Sequence, residues 1–536
     1  MATLNSAPAR PGPIRASLWA PLAALALGLL VAFGFAPYGI WPLTLVGFAG
    51  LALLLSARAP RARAAFAIGW WFGIGQFTLG LDWIATAFTF QAKMPPWLGW
   101  LAVLILSLYL ALFPALAALA AWWATRRIRG GAASLSLLLG AAWTAGEWLR
   151  GTLFTGFPWN PISAAFVDLP IAQAARVTGT YGLSGLIVAS AGFILILATR
   201  PRDALGRHTI LAAANIPAAI GLAALIGLYA APTLTAYAMP PAPPQPGTGP
   251  LVHVVQPDIG QGERWDEGLS IRHLVTLGAL SGKPGATPRL LLWPESAIED
   301  DVAEDPAIRA RVAALLGPRD LLLAGGVDPV RDGTGEMIAA RNSIFAIDAA
   351  ARIVARYDKA HLVPFGEYLP LRPLLSAIGV SRLAPGDLDF RPGPGAGTIM
   401  LPGGVPVGLQ VCYEMIFSGH VVDEAHRPAF LFNPSNDAWF GRAGPPQHLA
   451  QARLRAIEEG LPIVRATPTG ISAIVDPRGR IIREIPAQAA GMIEERLPAA
   501  NAATLFARLG NWAALLIVLL LGGLAIPAGT YKEAFI

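Results

Sequence analysis

Residues 17–56 contain no Asp, Glu, Lys or Arg. A bilayer is crossed by about 20 apolar residues in a helix, so a charge-free stretch of this length predicts a membrane protein. The turn signal PYGIWP at 37–42 divides it into two spans, 17–35 and 40–56. Further apolar runs at 64–81, 98–124, 133–149, 180–199, 209–232 and, far along the chain, 510–528 raise the expectation to about eight transmembrane helices. The short gaps between them give an orientation. Arg10, Arg15, Arg58, Arg61, Arg63, Arg126, Arg127, Arg129, Arg200, Arg202 and Arg207 fall on one side, and only Lys93, Arg150 and Arg176 on the other. Cationic loops stay in the cytoplasm, which puts everything between the seventh and eighth spans outside it.

Charge divides the chain in two. Residues 1–250 carry a net +10 and residues 251–536 a net −4. Only 14% of all residues are charged, against about 25% in an average soluble domain. The basic excess lies between apolar runs, an arrangement for membrane topology and not for binding nucleic acid. Cys412 is the one cysteine, so neither a disulfide framework nor a CxxC metal site is available.

The texture changes after a proline-rich stretch at 239–250, MPPAPPQPGTGP. Short apolar runs follow: LVHVVQP, RLLLWP, DLLLAGGV, NSIFAID, VPVGLQVC, AFLFNP, PIVRAT and ISAIVD. Helical patterns lie near 265–281, 305–316 and 447–460. Continuous apolar strands bounded by Gly and Pro predict sheets buried on both faces under helices. The expected organisation is a transmembrane domain over 1–238, a linker at 239–250, an α/β domain over 251–500, and a last helix with a short tail over 501–536.

Five residues of the second half stand where chemistry is feasible. Cys412 ends VPVGLQVC, so its thiol is presented at a sheet edge; buried, it would be only a small hydrophobe. Glu295 follows the apolar run LLLWP and is partly desolvated by Trp293 and Pro294, the setting of a general base, although a helix-terminal carboxylate also reads this way. Lys359, in DKAHLVPFGEY, lowers the pKa of a neighbouring thiol and stabilises an oxyanion, unless it is a surface lysine. Glu367, eight residues on, orients that lysine or is a loop carboxylate. Glu414, two residues past the cysteine, is a cap or a supporting acid.

Taken together and in this order, WPE, DKAHLVPFGEY and CYE resemble the nitrilase superfamily. The resemblance implies an αββα sandwich with a Glu295–Lys359–Cys412 triad, supported by Glu367, Tyr413 and Glu414. FGFAPYGIWPL, EWLRGTLFTGFPWN and SNDAWFG extend the likeness to the membrane-embedded branch of that superfamily, the bacterial apolipoprotein N-acyltransferases. ATPTG at 466–470 departs from it at Pro468 and Thr469. The resemblance implies a polytopic helical membrane domain joined to the sandwich, in the bacterial inner membrane with the catalytic domain on the periplasmic side. It implies transfer of an acyl chain from a phospholipid, through a thioester on Cys412, to the N-terminal amine of diacylglyceryl apolipoproteins. That route calls for no cofactor and no metal. Trp265, Trp439 and Arg150 are the residues it implies for substrate binding; for each, ordinary packing, or a snorkelling arginine, is the competing reading. A membrane-tethered nitrilase-like amidase using the same triad is the alternative function.

Overall fold

The computed structural model describes residues 13–90, 95–199, 247–263, 268–377, 382–383 and 388–526. The expected span at 209–232, most of the linker and Trp265 lie outside the described residues.

The first half is a helical bundle. Its helices are Pro13–Ala32, Trp41–Arg58, Ala62–Gly80, Leu98–Leu110 continued by Leu112–Arg127, Ala132–Thr152 and Ala175–Thr199. Among the described residues, three helical stretches are long and apolar enough to cross a membrane: Trp41–Arg58, Leu98–Arg127 and Pro170–Ala198. A fourth arises if Ala62–Gly80 and Ile84–Phe90, bent by 51°, form one span. That count is below the eight expected, and length is part of the reason. Trp512–Ala525 has 14 residues, or about 21 Å, against a hydrocarbon core of about 30 Å. Helix Ala132–Thr152 sits centrally, with most of its residues buried against its neighbours. Trp143 meets Phe48 and Phe72 edge to face in the bundle core, at centroid separations of 4.6 and 6.0 Å.

The second half forms two six-stranded sheets. The first has the order β12-β1-β2-β3-β4-β5 and the second β11-β10-β9-β8-β7-β6. The strands of the first are β1 (Leu251–Gln256), β2 (Arg289–Leu292), β3 (Leu321–Arg331), β4 (Met337–Asp348), β5 (Ile353–Asp358) and β12 (Gly491–Arg496). Those of the second are β6 (Gly397–Leu401), β7 (Val405–Leu409), β8 (Phe430–Pro434), β9 (Ile463–Ala466), β10 (Ser472–Val475) and β11 (Ile481–Ile485). Parallel pairs, β1–β2–β3 and β7–β8–β9, form the centre of each sheet, and antiparallel strands flank them.

Alternation along the strands explains the layering. Leu290 and Leu292 of β2 point into the space between the sheets, where they join Val407, Leu409 and Phe432. Leu291 points the other way, onto helices Ser270–Leu280 and Pro306–Ala313 through Leu277, Ile308 and Val312. On the far side, helix Gly444–Glu459 covers the second sheet with Leu449, Ala452 and Ala456. The result is the four-layer αββα sandwich. Each fully buried Leu or Phe in these layers contributes about 1.5–3 kcal/mol of transfer free energy.

All eight expected strand runs are strands. Four further strands, β5, β6, β11 and β12, were not among them, and each lies at or next to a sheet edge. Most of their residues are exposed or only partly buried, so these strands are not marked by a fully buried apolar run.

Helix Gly444–Glu459 also faces the bundle. Trp159 donates to Gln447 Oε1 at 2.8 Å, the Thr180 N–H to Glu458 Oε1 at 2.5 Å, and Arg453 pairs with Asp168 at 2.6 Å. Arg455, buried, pairs with Glu458 at 2.8 Å and also reaches Thr180. After β12 the chain returns to the bundle, where Ile517 and Leu521 pack and Ser134 donates to the Ala525 carbonyl at 3.0 Å.

Candidate active site

Three strand ends converge. β2 stops at Leu292, and the following turn is pinned to β3: Trp293 N–H donates to Leu323 O at 3.0 Å, Gly325 N–H to Pro294 O at 3.1 Å and Ile298 N–H to Gly325 O at 3.1 Å. This holds Glu295 over the edge of the sheet. The approach is so close that a Cβ at Gly325 would lie 2.5 Å from Ser296 N and 2.7 Å from both Glu295 Cα and Pro294 O. β5 stops at Asp358, and Lys359 is tied down by its own N–H to Asn342 O at 2.8 Å. β7 stops at Leu409, and Cys412 opens a 3₁₀ turn, Cys412–Ile416, with φ +50°. A non-glycine residue there costs on the order of 1–3 kcal/mol, so its surroundings must hold it.

Glu295, Lys359 and Glu367 form one buried cluster. Lys359 Nζ lies 2.9 Å from Glu367 Oε1 and 3.5 Å from Glu295 Oε1. The Asn342 amide donates to both carboxylates, at 2.7 Å to Glu295 and 2.9 Å to Glu367. The second oxygen of Glu295 accepts the Asn436 N–H at 2.6 Å, and that of Glu367 accepts the Val363 N–H at 2.8 Å. Burial alone would lower the Lys359 pKa. The charges of Glu367, Glu295 and Cys412 reverse this and hold it above the ordinary lysine range, as an ammonium.

The Cys412 thiol is buried beside this cluster. Burial and the Glu295 charge push its pKa up, and Lys359 pulls it down by less. The sequence expectation that Lys359 lowers the thiol pKa therefore has the right sign for that pair but not for the net result. At rest the Cys412 side chain is therefore a neutral thiol.

Glu414 ties the two loops together. Its carboxylate accepts the Val411 N–H at 2.7 Å, the Ala360 N–H at 2.7 Å, the His361 N–H at 2.9 Å and the Tyr357 hydroxyl at 3.1 Å. Burial raises its pKa to about 7 despite these donors. It positions the lysine loop against the cysteine turn.

The remaining expected residues lie at the junction with the bundle. Tyr413 donates its hydroxyl to Gly156 O at 3.1 Å. Arg150 is buried, and its Nη1 donates to Phe157 O at 2.8 Å and Trp159 O at 2.7 Å. It therefore holds the loop on which Tyr413 leans and does not snorkel. Trp439 packs edge to face on Phe90 at 5.7 Å, and neighbouring Phe440 packs on Trp83 at 4.7 Å and Trp159 at 5.5 Å. The segments that follow Cys412 and Asn436 thus meet aromatic side chains and a backbone carbonyl of the bundle. The sequence reading did not single out Asn342, Asn436, Asn433, Asp437, His448 or Arg465, although three of them are polar residues in otherwise apolar buried strands.

A four-layer αββα sandwich that gathers Glu, Lys and Cys at its strand ends defines a nitrilase-type carbon–nitrogen hydrolase domain, here joined to an apolar helical bundle. The carbon–nitrogen hydrolase family model matches residues 264–505. The model of the apolipoprotein N-acyltransferase N-terminal domain matches residues 27–193. Relatives bearing the name apolipoprotein N-acyltransferase align over most of the chain. That of Rhodopseudomonas palustris is 36% identical over 93% of this chain and 93% of its own length. That of Bradyrhizobium diazoefficiens is 36% identical over 96% and 95%, and that of Caulobacter vibrioides 37% identical over 94% and 93%. The chain belongs to the apolipoprotein N-acyltransferase family.

Proposed function

We propose that this enzyme moves an acyl chain from a phospholipid to the free N-terminal amine of S-diacylglyceryl-cysteine apolipoproteins, through a thioester on Cys412. In this reading Glu295 takes the Cys412 proton as the sulfur attacks the ester carbonyl. Lys359 and the Tyr413 N–H stabilise the oxyanion. The C–O bond breaks, the proton passes to the leaving oxygen, and a lysophospholipid departs. The lipoprotein amine then attacks the thioester, Glu295 accepts its proton, and the thiol is restored as the amide forms. Glu367 and Asn342 keep Lys359 and Glu295 in register, and Glu414 keeps the lysine and cysteine loops together. Trp265 and Trp439 are assigned to substrate binding.

The observation that carries this reading is the placement of the cluster. Glu295, Lys359 and Cys412 are buried side by side, and the turn after Cys412 rests on the bundle through Tyr413 and Gly156. A site at that seam receives lipid substrates from the bilayer. We assign the bundle about eight spans in the bacterial inner membrane, 1–238 plus the last helix of 501–536, with the sandwich of 251–500 on the periplasmic side.

Intact-protein mass spectrometry after incubation with phosphatidylethanolamine vesicles tests it. The expected result is a mass gain of one acyl chain that hydroxylamine removes, that is absent in Cys412→Ser, and that a diacylglyceryl-cysteine peptide discharges. No adduct on folded protein refutes the phospholipid donor and favours the amidase reading, in which water or ammonia receives the acyl group.

A further inference from the structure

Against the backbone carbonyl of Cys412 lies a second buried polar group that the mechanism above does not use. His448, on helix Gly444–Glu459, places Nε2 3.2 Å from the Cys412 carbonyl oxygen. Asn433 Nδ2 lies 3.4 Å from the same oxygen. A carbonyl only accepts, so Nε2 carries the imidazole proton. The other ring nitrogen is 3.0 Å from Arg465 Nη2, which only donates, and 3.1 Å from Asp437 Oδ1. Arg465 and Asp437 are themselves paired at 2.5 Å, and all three side chains are closed to solvent. Burial, followed by the Arg465 charge, pushes the His448 pKa down, so the ring stays neutral with its tautomer fixed by its partners.

The Cys412 carbonyl is one end of a rigid plate. In a trans peptide the C=O and the following N–H point in opposite directions. Fixing the Cys412 oxygen therefore fixes the direction of the Tyr413 N–H. That N–H opens a 3₁₀ turn, where the first N–H groups have no acceptor within the helix. Hydrogen bonds to the carbonyl also polarise the N–H at the far end of the same peptide.

We propose that His448 is a positioning residue for the oxyanion site: its Nε2–H holds the Cys412–Tyr413 peptide so that the Tyr413 N–H faces the developing oxyanion. The inference rests on the acyl-enzyme reading above. It also gives the bundle a part in the chemistry. The ring of Trp159 lies 5.3 Å from that of His448, and its N–H holds the neighbouring Gln447. The loop of the membrane half thus buttresses the imidazole.

Two reactions of Cys412 separate this role from simple folding support. Acylation by p-nitrophenyl hexanoate passes through an oxyanion and releases p-nitrophenolate. Alkylation by iodoacetamide forms the S–C bond as iodide leaves, with no oxyanion. In full-length enzyme in detergent, His448→Phe is expected to lower the acylation rate constant about 10- to 100-fold, below the about 10²- to 10³-fold cost of deleting an oxyanion donor outright. Alkylation should stay within twofold of the parent. His448→Gln keeps a donor and is expected to fall between parent and Phe, by about threefold or more in the ratio of the two rates. Equal losses in both reactions, or no loss in acylation, overturn the proposal. If the Phe variant does not accumulate, the Gln variant decides, and an unchanged ratio there refutes it. A parent enzyme that is alkylated at Cys412 but takes no acyl group from ester or phospholipid refutes the acyl-enzyme reading, and this inference falls with it.

Discussion

Gly325→Ala tests whether the position of Glu295 limits the reaction. A methyl at this position meets Ser296 N at 2.5 Å and Glu295 Cα and Pro294 O at 2.7 Å. All three are backbone atoms, so no side-chain rotation relieves the contact. Restoring the nearest to an ordinary separation of about 3.4 Å moves the turn by about 0.9 Å. Overpacking of this kind costs about 1–3 kcal/mol of stability. A displacement of about 1 Å at a reacting group costs about 10²-fold in rate, or about 2.7 kcal/mol of barrier. Gly326→Ala is the control. Its methyl would meet side-chain atoms of Phe345 and Val302 at 3.2 and 3.4 Å and Ile298 O at 3.5 Å, a far milder contact than the one at Gly325. The assay is the burst of p-nitrophenolate on acylation of Cys412, with thermal unfolding of each variant alongside. Gly325→Ala should lose about 10²-fold in burst rate while remaining folded, and Gly326→Ala should stay within threefold. Parent-like acylation in Gly325→Ala would refute the claim that this turn sets the base.

Asn342→Leu removes the amide shared by Glu295 and Glu367; acylation is expected to fall at least tenfold in a folded protein, read by the same burst. Glu414→Gln should change the pH dependence of stability. The folded-state pKa of Glu414 is raised from 4.5 to about 7, so its contribution is fullest below pH 4.5 and declines as pH rises to about 7. The gap in unfolding midpoint between parent and Gln variant should therefore be wider at pH 4.5 than at pH 8, as thermal melts at the two pH values will show. Glu458→Ala strands the buried Arg455 and removes the acceptor of the Thr180 N–H. A destabilisation of about 3–5 kcal/mol is expected, measured as a lowered midpoint in detergent.

The parts of the fold that the sequence revealed are those buried on both faces. β2, β8 and β9 read as mainly apolar runs because helices and the facing sheet close them off. The edge strands β5, β11 and β12 are half wet, and their mixed pattern is indistinguishable from a loop. The chemistry divides in the same way. Glu295, Lys359 and Cys412 each end a recognisable local string. Their partners do not, because the contacts join distant parts of the chain: Asn342 is 47 residues from Glu295, and Asn436 is 141. A usable signal did exist. Asn342, Asn433 and Arg465 are polar side chains inside buried strands, and such groups are tolerated only with partners. Trp159 and Gln447 had no such marker, since their contact depends on how the two halves meet.

Helix Gly444–Glu459 serves two masters, as the outer cover of one sheet and the surface on which the bundle rests. A cut placed at the proline-rich stretch near residue 245 would follow composition and yet divide a single cooperative body. The freed sandwich would expose Arg455 and Glu458 without the Thr180 groups that bond them, and His448 without the indole of Trp159. Truncation to a soluble catalytic fragment is thus the wrong way to simplify this enzyme. The helix that carries Gln447 and Glu458 to the bundle also carries His448 to the Cys412 carbonyl, so the seam and the cysteine turn share one support.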